Sequence, residues 1–459
     1  MTNYQASFQM AKDIAQEVSQ LGGRAYFVGG HVRDRLRHRI NPDIDMEVHG
    51  LSPKELESIL DSLGQRISIG ETFGIYNLKG YSLDIAMPRK ETLRGRGHRD
   101  FDVFVGPFIG TEGASKRRDF TINALMEDIL TGEIVDHYSG QADLNQGILR
   151  HVSGESFGED PLRVLRGAQF AARFGFTIAP ETMELCSHMD LTALPQERVM
   201  MELKKALLKA QRPSIFFEVL REMDQLSDWF PELKALIGIE QNPRFHAEGD
   251  VWTHTMMVLD AAASLRDRAA NGESEDISDP LGFMFTALTH DFGKATCTEI
   301  INGVIHAYDH EKQGLPLIEQ FMKRLTNETR LINYVLNLAE FHMKPNVVSV
   351  ANSSIKTTNK MFDQSVDPVA LIAIGFADAL GKLPPEDTDH SQAFLKERLA
   401  IYREYMARPH ITGKDLINAG LSPGEQFSDL LSYAHKLRLA GVEKENALKQ
   451  TLAYARKLQ

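Results

Sequence analysis

The spacing of apolar and polar positions divides this chain into a first part of mixed rhythm and a longer part that is helical. Met1–Glu17 has the periodicity of an amphipathic helix, and the apolar run Ala25–Val28 reads as a strand that ends in Gly29-Gly30. A short helix carrying Val32, Arg33 and Leu36 is expected next. In the following strand Ile44, Met46 and Val48 alternate with Asp43, Asp45 and Glu47, so one face is core and the other acidic. Ser52-Pro53-Lys54-Glu55 has an N-cap, a proline at the first helical position and a capping-box glutamate, and opens a helix to about Leu63. Two strands follow near Gly74–Leu78 and Tyr81–Ala86. In the second, Leu83 and Ile85 face one way and Ser82 and Asp84 the other. Pro88–Gly113 is polar and lacks helical periodicity, so it is expected to contain a mobile loop. An apolar helix is expected after Lys116-Arg117-Arg118-Asp119, and Gly132–Asp136 reads as a last strand.

Helical periodicity dominates from there on. A helix opening at Pro161 would bury Val164, Leu165, Ala168 and Ala172, and would place Asp160, Arg163, Gly167 and Phe170 on its other side, with Arg166 at the edge, at about 100° per residue. Glu197–Leu203 opens another helix. A Pro-containing stretch, Gln241–Arg244, precedes helix Val251–Ala270, an acidic linker Asn271–Pro280 and helix Leu281–Thr289. Helix Leu331–Phe341 and the apolar run around Leu371–Phe376 follow. The fold class is α+β: a small mixed sheet, then a long all-helical remainder. The sequence contains no internal repeat and no low-complexity segment.

Composition narrows the function classes. The 459 residues are enough for several domains. A net charge of −12 and a pI near 5.8 argue against a large uniformly basic surface, so nucleic-acid contacts would come from local basic clusters. Cys186 and Cys297 are too few for a disulfide framework or a Cys-rich zinc site. With no signal-peptide core and no apolar run long enough to span a bilayer, a soluble cytoplasmic protein without a membrane partner is expected. The oligomeric state is not legible.

The first candidate site lies around residues 27–48. Asp43 and Asp45, two apart on a strand, suit Mg²⁺, which prefers hard oxygen ligands. Gly29 and Gly30 let the backbone approach phosphates at a helix N-terminus, and Arg33, one turn on, reaches the same phosphates. Asp84 is a candidate third carboxylate. Arg89, Arg94, Arg96, His98 and Arg99 are basic residues suited to a triphosphate or RNA phosphates. Asp160 and Arg163, one turn apart, offer an acceptor and a fork of donors for the pairing edge of a base. The second candidate is the ordered series His254, His290-Asp291, His310, His342 and Asp378 on successive helices. Nitrogen and carboxylate ligands of this mix suit Mn²⁺, Ni²⁺, Co²⁺, Fe²⁺ or, more weakly, Mg²⁺. Asp378 stands in an apolar run, where an acid without a partner is costly.

The Phe27–Val48 pattern followed by Lys116–Leu125 resembles the nucleotidyltransferase head of the class II CCA-adding enzyme and bacterial poly(A) polymerase family, within the polymerase-β superfamily. The resemblance implies catalysis at Asp43 and Asp45 with head-bound Mg²⁺. It implies nucleotide sugar and phosphate contacts from Arg117, with Arg118 and Asp119 beside it, and a triphosphate held by Gly29, Gly30, Arg33, Arg117 and Arg166. Glu159-Asp160-x-x-Arg163 is similar to the family's base-selecting motif, and Gln169 stands where many relatives carry another arginine. Glu197-Arg198-x-x-x-Glu202-Leu203 resembles a motif that braces the neck, which leaves Glu197 and Arg198 outside the catalytic set. The histidine series resembles an HD phosphohydrolase domain, with His254, His290, Asp291 and Asp378 as direct metal ligands. His310 and His342 would be second-site ligands or phosphate contacts. Gly413-Lys414-Asp415-Leu416 and Pro423-Gly424 resemble the tRNA-binding tail, with Lys436, Arg438, Lys449 and Arg456 extending a basic track.

The domains expected on this basis are a head (1–137), a helical neck (138–203), a helical body (204–245), an HD domain (246–385) and a tRNA-binding tail (386–459). The activity implied is template-independent transfer of CMP and AMP from CTP and ATP to the tRNA 3′ end, with metal-dependent phosphohydrolysis beside it. Three alternatives stay open: an A-adding partial enzyme, a poly(A) polymerase, and an HD phosphohydrolase whose head only binds nucleotide. The acidic pI and the complete Glu159-Asp160-x-x-Arg163 motif count against the second, and the intact Asp43 and Asp45 against the third.

Overall fold

The structure is a computed structural model that describes residues 3–70, 74–93, 101–385 and 388–458. It divides into two compact units, residues 1–206 with 215–228 and residues 207–214 with 229–459.

The first unit is built on a seven-stranded mixed sheet. Its strands are β1 (Arg24–Val28), β2 (Ile44–His49), β3 (Arg66–Gly70), β4 (Ile75–Leu78), β5 (Leu83–Ala86), β8 (Met126–Asp128) and β9 (Ile134–Val135). They run in the order β3-β4-β5-β2-β1-β8-β9, while β6 (Arg89–Leu93) and β7 (Phe101–Val105) form a separate antiparallel hairpin. Strand β2 pairs antiparallel with β1 and parallel with β5, and the latter register sets Asp45 opposite Asp84. The alternation along β2 does what the sequence requires. Ile44, Met46 and Val48 are buried, and helix Asn3–Gln20 turns Ala11, Ile14 and Val18 into the same unit's core. Helix Pro53–Leu63 carries the full capping box between Ser52 and Glu55.

Two sequence expectations are corrected here and one is sharpened. The polar segment after Pro88 carries the paired strands β6 and β7, and the loop expected within it falls on residues 94–100, outside the described residues. Lys90-Glu91-Thr92 carries no apolar alternation, so periodicity gives no strand signal there. Arg94, Arg96, His98 and Arg99 lie outside the described residues. After Asp119 the chain forms a single 3₁₀ turn, Thr121–Asn123, and then β8, not an apolar helix. Phe120–Leu125 is buried throughout, with polar Thr121 and Asn123 donating to Asp143 and Asp119, and in so short a run a helix and a buried strand look alike. Finally, helix Leu162–Phe174 buries Gly167 and Phe170 as well as the predicted Val164, Leu165, Ala168 and Ala172. A side chain at Gly167 would meet the Phe120 ring at 3.2 Å, so the glycine allows that ring to pack on the helix.

The second unit is helical. Helices Val251–Ala270, Pro280–Thr289 and Pro368–Leu380 are each N-capped by an aspartate, Asp250, Asp279 and Asp367, whose side chain accepts from a first-turn N–H. Pro280–Thr289 is buried almost all round and Pro368–Leu380 along one side, and both pack with Val251–Ala270 and Thr329–Phe341 into one core. The tail helices Gly413–Asn418, Gln426–Leu439 and Lys444–Leu458 enclose a smaller core of Leu416, Leu430, Ala434 and Ala447. No helix among the described residues is long and apolar enough to cross a membrane.

Candidate functional site

In the first unit, the turn between β1 and helix Gly30–Leu36 places Gly29 at φ 63°, ψ −133°. This is a left-handed conformation that suits glycine. A Cβ there would lie 3.4 Å from Arg118 Nη1 and 4.0 Å from Asp45 Oδ2, so the turn passes close to both a cation and a carboxylate. Asp45 sits across the β2–β5 pair from Asp84, whose Oδ1 accepts from Asn77 at 2.8 Å. Asp43 is exposed just before β2, its N–H donating to Asn41 Oδ1 at 3.1 Å. The Asp45 carboxyl is raised to about 6. Burial is the main cause, and Asp84 and Asp43 add to it against the opposing charge of Arg118. A half-buried carboxylate crowded by two others is short of positive charge, and hard oxygen donors fit a divalent cation.

Above these carboxylates is a cavity of about 550 Å³. Gly29, Gly30, Arg33, Asp45, Arg117, Arg118, Asp119, Asp160, Arg163 and Arg166 line it. Its far wall is one face of helix Gln196–Lys209, contributing Arg198, Met201, Glu202 and Lys205. A second cavity of about 370 Å³ shares Asp45, Arg117, Arg118 and Arg163 and adds Glu47, Asp84 and Arg89. The structure therefore brings Gly29, Gly30, Arg33, Asp45, Asp84, Arg89, Arg117, Arg118 and Asp119 together with Asp160, Arg163 and Arg166, and Asp43 is exposed just before β2.

The cationic side chains are held in different ways. Arg33 is buried, donates to Asp34 and to Asn123 Oδ1 (2.8 Å), and lies over the Phe174 ring at 4.5 Å. Arg166 donates through Nε and Nη2 to Asp119 Oδ2 at 2.8 and 2.6 Å. Burial alone would raise Asp119, but Arg166, Asn123 and the Phe120 N–H bring it down to about 2. Asp119 thus anchors Arg166 and the 3₁₀ turn. Arg118 reaches Glu47 Oε2 at 3.4 Å, and Glu47 is buried with His49 Nε2 2.8 Å from its other oxygen. The acidic face of β2 therefore turns into an internal ion network. Asp160 and Arg163 do not close on each other. Arg163 donates to the Ser156 and Arg117 carbonyls (2.7 and 2.8 Å), while Asp160 is gripped by Arg198 Nη1 and Nη2 at 3.3 and 2.9 Å. Gln169 is buried between Glu202 and Arg173, with its amide oriented to donate to the first and accept from the second.

In the second unit six predicted residues converge. His254, His290, Asp291, His310, His342 and Asp378 are all buried. His254 Nε2 lies 3.1 Å from Asp378 Oδ1 and 3.6 Å from Asp291 Oδ2. Asp291 is 3.3 Å from His290 Nε2 and 3.2 Å from His310 Nε2, and His310 Nε2 is 3.3 Å from His342 Nε2. Each of the last three rings places Nδ1 within 2.7–2.9 Å of the carbonyl three residues back, of Ala287, Ala307 and Ala339. A carbonyl only accepts, so Nδ1 carries a hydrogen and Nε2 is the nitrogen turned inward, the one available to a metal. His290 Nε2 is buried without a hydrogen bond of good geometry, 3.3 Å from Asp291 Oδ2, which is itself ion-paired with Lys294 Nζ at 2.7 Å. Such an atom is expensive to leave unsatisfied, and the donor set fits a divalent transition metal. Burial, with His290 and His310 beside it, lowers His342 to about 3, which keeps that ring neutral. Despite burial, His290 and the Lys294 ammonium hold Asp291 well below the usual carboxylate range. A cavity of about 370 Å³ opens at Asp291, His310 and Asp378, rimmed by Phe245, His306, Tyr308, Lys294 and Lys382.

The relatives of this chain match it across both units. Residues 25–150 match the family model described as the poly A polymerase head domain, and residues 175–237 match one described as a probable RNA and SrmB-binding site of polymerase A. Over 412 residues the chain is 35% identical to the multifunctional CCA protein of Pasteurella multocida (strain Pm70), covering 86% of this chain and 92% of that protein. The chain belongs to the class II CCA-adding nucleotidyltransferase family. It is also 38% identical over 387 residues to the multifunctional CCA protein of Stenotrophomonas maltophilia (strain R551-3), covering 82% and 90% of the two chains. The Thermotoga maritima CCA-adding enzyme, solved in complex with tRNA, shares the fold with a TM-score of 0.64 at 19% identity, over 97% of this chain and 95% of that one.

For a CCA-adding nucleotidyltransferase, several side chains at these cavities were not expected from sequence. Arg198 was expected to brace the neck, yet it holds Asp160 in the cavity, with Glu202 and Lys205 further along the same helix face. Their i, i+4, i+7 spacing is a visible signal of one shared face. At the histidine cluster, Glu248 Oε1 lies 2.9 Å from His254 Nδ1 and 2.7 Å from His246 Nδ1. Lys294 Nζ lies 2.7 Å from Asp291, and Asn346 and Lys382 approach Asp378 at 3.4 and 3.7 Å. Glu248 sits in an irregular stretch with no periodicity to mark it.

Proposed function

We propose that the head cavity adds CMP, CMP and AMP in turn to the 3′ end of tRNA, taking CTP and ATP and releasing pyrophosphate without a nucleic-acid template. The observation that carries this reading is the charge arrangement of the cavity. Seven cations (Arg33, Arg117, Arg118, Arg163, Arg166, Arg198 and Lys205) surround four carboxylates (Asp45, Asp119, Asp160 and Glu202), with Asp45 beside the Gly29 turn. Asp43 and Asp45 would hold Mg²⁺, with Asp84 opposite as a third oxygen donor. Bound Mg²⁺ would supply charge stabilisation at the transferring phosphoryl group and acidify the attacking 3′-hydroxyl. Arg117 and Arg118 hold the triphosphate. Gly29 and Gly30 admit it close to the backbone, and the anchored Arg33 and Arg166 form a fixed cationic wall. Asp160 accepts from the exocyclic amino group of cytosine or adenine, and Arg163 donates to the ring nitrogen beside it.

The test uses a tRNA transcript lacking CCA and one ending in CC, with Mg²⁺ and CTP, ATP or both. Two additions with CTP and a third that needs ATP are expected. Extension of only the CC-ended tRNA by one A would mark a partial enzyme, a long A ladder a poly(A) polymerase, and no extension would overturn the reading.

The Asp45 carboxyl gives this reading a pH signature. Its pKa is raised to about 6 from the ordinary 3.8, so the proton it keeps stabilises the folded state at acid pH, and that contribution is lost as pH rises through about 6. Mg²⁺ competes with the proton, so its apparent affinity should fall by up to about tenfold per pH unit below 6. The rise in Tm on adding Mg²⁺ should be clear at pH 8 and vanish at pH 5. An equal rise at both would refute it.

The buried histidine cluster favours a second activity. His254, His290, Asp291 and Asp378 would hold a divalent metal such as Mn²⁺, Ni²⁺, Co²⁺ or Mg²⁺, with His310 and His342 beside them. The metal would supply an acidified water for attack on a 2′-phosphate, a 2′,3′-cyclic phosphate or a small phosphate monoester. Lys382 on the cavity lining suits the phosphate. Purified protein that cleaved none of these with any of the metals would sink this second reading.

A further inference from the structure

The base-reading pair is held in a way its sequence spacing does not suggest. Asp160 and Arg163 are one turn apart, yet Arg163 is occupied by the carbonyls of Ser156 and Arg117. The carboxylate of Asp160 is instead fixed from a different helix. Arg198 of Gln196–Lys209 reaches both oxygens, Nη1 to Oδ1 at 3.3 Å and Nη2 to Oδ2 at 2.9 Å, and the Leu162 N–H adds a bond to Oδ1 at 3.1 Å. We infer that Arg198 is the residue that sets base selectivity, by locking the plane of the Asp160 carboxylate against the incoming base. This inference rests on the reading of Asp160 as an acceptor for the base.

The argument turns on what a two-point contact does and where it is. Both side chains are partly exposed, 33% for Arg198 and 27% for Asp160. An ion pair so placed contributes little to stability. Both also line the cavity, so the contact acts where the nucleotide sits. A planar guanidinium fork fixes the orientation of a carboxylate, which a lysine ammonium does not. Orientation matters for rejection more than for acceptance. Cytosine and adenine present an amino donor to Asp160, whereas uracil and guanine present a carbonyl oxygen at the same position. A carboxylate free to turn moves away from that oxygen and relieves the repulsion. One clamped by Arg198 cannot turn, so the wrong base meets two opposed acceptors and leaves Asp160 without a donor. Arg198 is thus a positioning residue acting through Asp160.

The experiment measures kcat/KM for CTP and UTP on a tRNA lacking CCA, and for ATP and GTP on a CC-ended tRNA. It compares full-length wild type, Arg198→Lys, Arg198→Ala, Asp160→Asn and the Arg198→Lys/Asp160→Asn double variant, with Tm for each. Arg198→Lys is expected to lower the CTP-over-UTP ratio about tenfold, mainly by raising UTP use, with Tm nearly unchanged. In the Asp160→Asn background the same change should have no further effect on the ratio. If Arg198→Lys and Arg198→Ala slow CTP and UTP equally and only lower Tm, Arg198 is a structural brace and the inference is wrong. If Asp160→Asn alters the ratio and neither Arg198 variant does, the inference fails while the role of Asp160 stands. If none of the variants alters the ratio, both fall.

Discussion

Asp45→Ala is expected to lower CMP and AMP addition by about 10³-fold or more, the scale of a lost metal ligand at a phosphoryl-transfer centre. The same variant should not lose stability. In the metal-free protein Asp45 is a half-buried carboxyl pushed up to about 6 by burial and by Asp84 and Asp43, so its charge is a burden on the fold at neutral pH. Removing it should leave Tm unchanged or raise it at pH 8, the usual sign of a group kept for chemistry rather than stability. Phosphohydrolysis should persist, because the six clustered histidines and aspartates all belong to the second unit. Single-nucleotide gels, a phosphate-release assay and a thermal melt on one preparation check all three. Addition that survived in Asp45→Ala would remove this carboxylate from the catalytic set.

The head was legible where side chains alternate between core and site. Ile44, Met46 and Val48 against Asp45 fixed both the strand and its functional face, and Leu83 and Ile85 placed Asp84 directly opposite through the parallel register. What periodicity missed was of two kinds. The β6–β7 hairpin has no apolar alternation in Lys90-Glu91-Thr92, and Phe120–Leu125 is buried throughout, polar Thr121 and Asn123 included, so its polar positions do not mark a solvent face. The partners of charged residues were also hidden. Asp119 is next to Arg118 in sequence but pairs with Arg166, and Asp160 pairs with Arg198 rather than with its helix neighbour Arg163. Such pairings follow from how elements distant in sequence pack, which the local pattern does not encode.

The histidine cluster was legible for a different reason. His254, His290, Asp291, His342 and Asp378 stand on or directly after apolar helices that pack into one core, and polar groups at such positions must be satisfied together. Glu248 escaped because it reaches His254 from an irregular stretch, although its carboxylate is held down at about 2 by His254 and His246 against the effect of burial.

Asp291→Ala should give the reverse pattern, and its argument is stronger because Asp291 touches the most partners. Its carboxylate lies within 3.6 Å of Lys294 Nζ and of Nε2 in His254, His290 and His310. Replacing it removes the one acid that bridges these groups, so retained divalent metal, read by elemental analysis after dialysis, should fall by about 10- to 100-fold or more. Phosphohydrolysis should fall with it, and CCA addition should persist. Unlike Asp45→Ala this variant should also be less stable, by about 3 kcal/mol, because among the described residues it leaves the buried Lys294 ammonium with the Gln241 Oε1 contact at 2.8 Å alone. Asp291→Ala/Lys294→Met, which removes both charges, should recover most of that stability and none of the metal. This separates the two roles of the carboxylate. If the double variant regained metal along with Tm, Asp291 would be a structural counter-ion to Lys294, and the cluster would bind its metal without it.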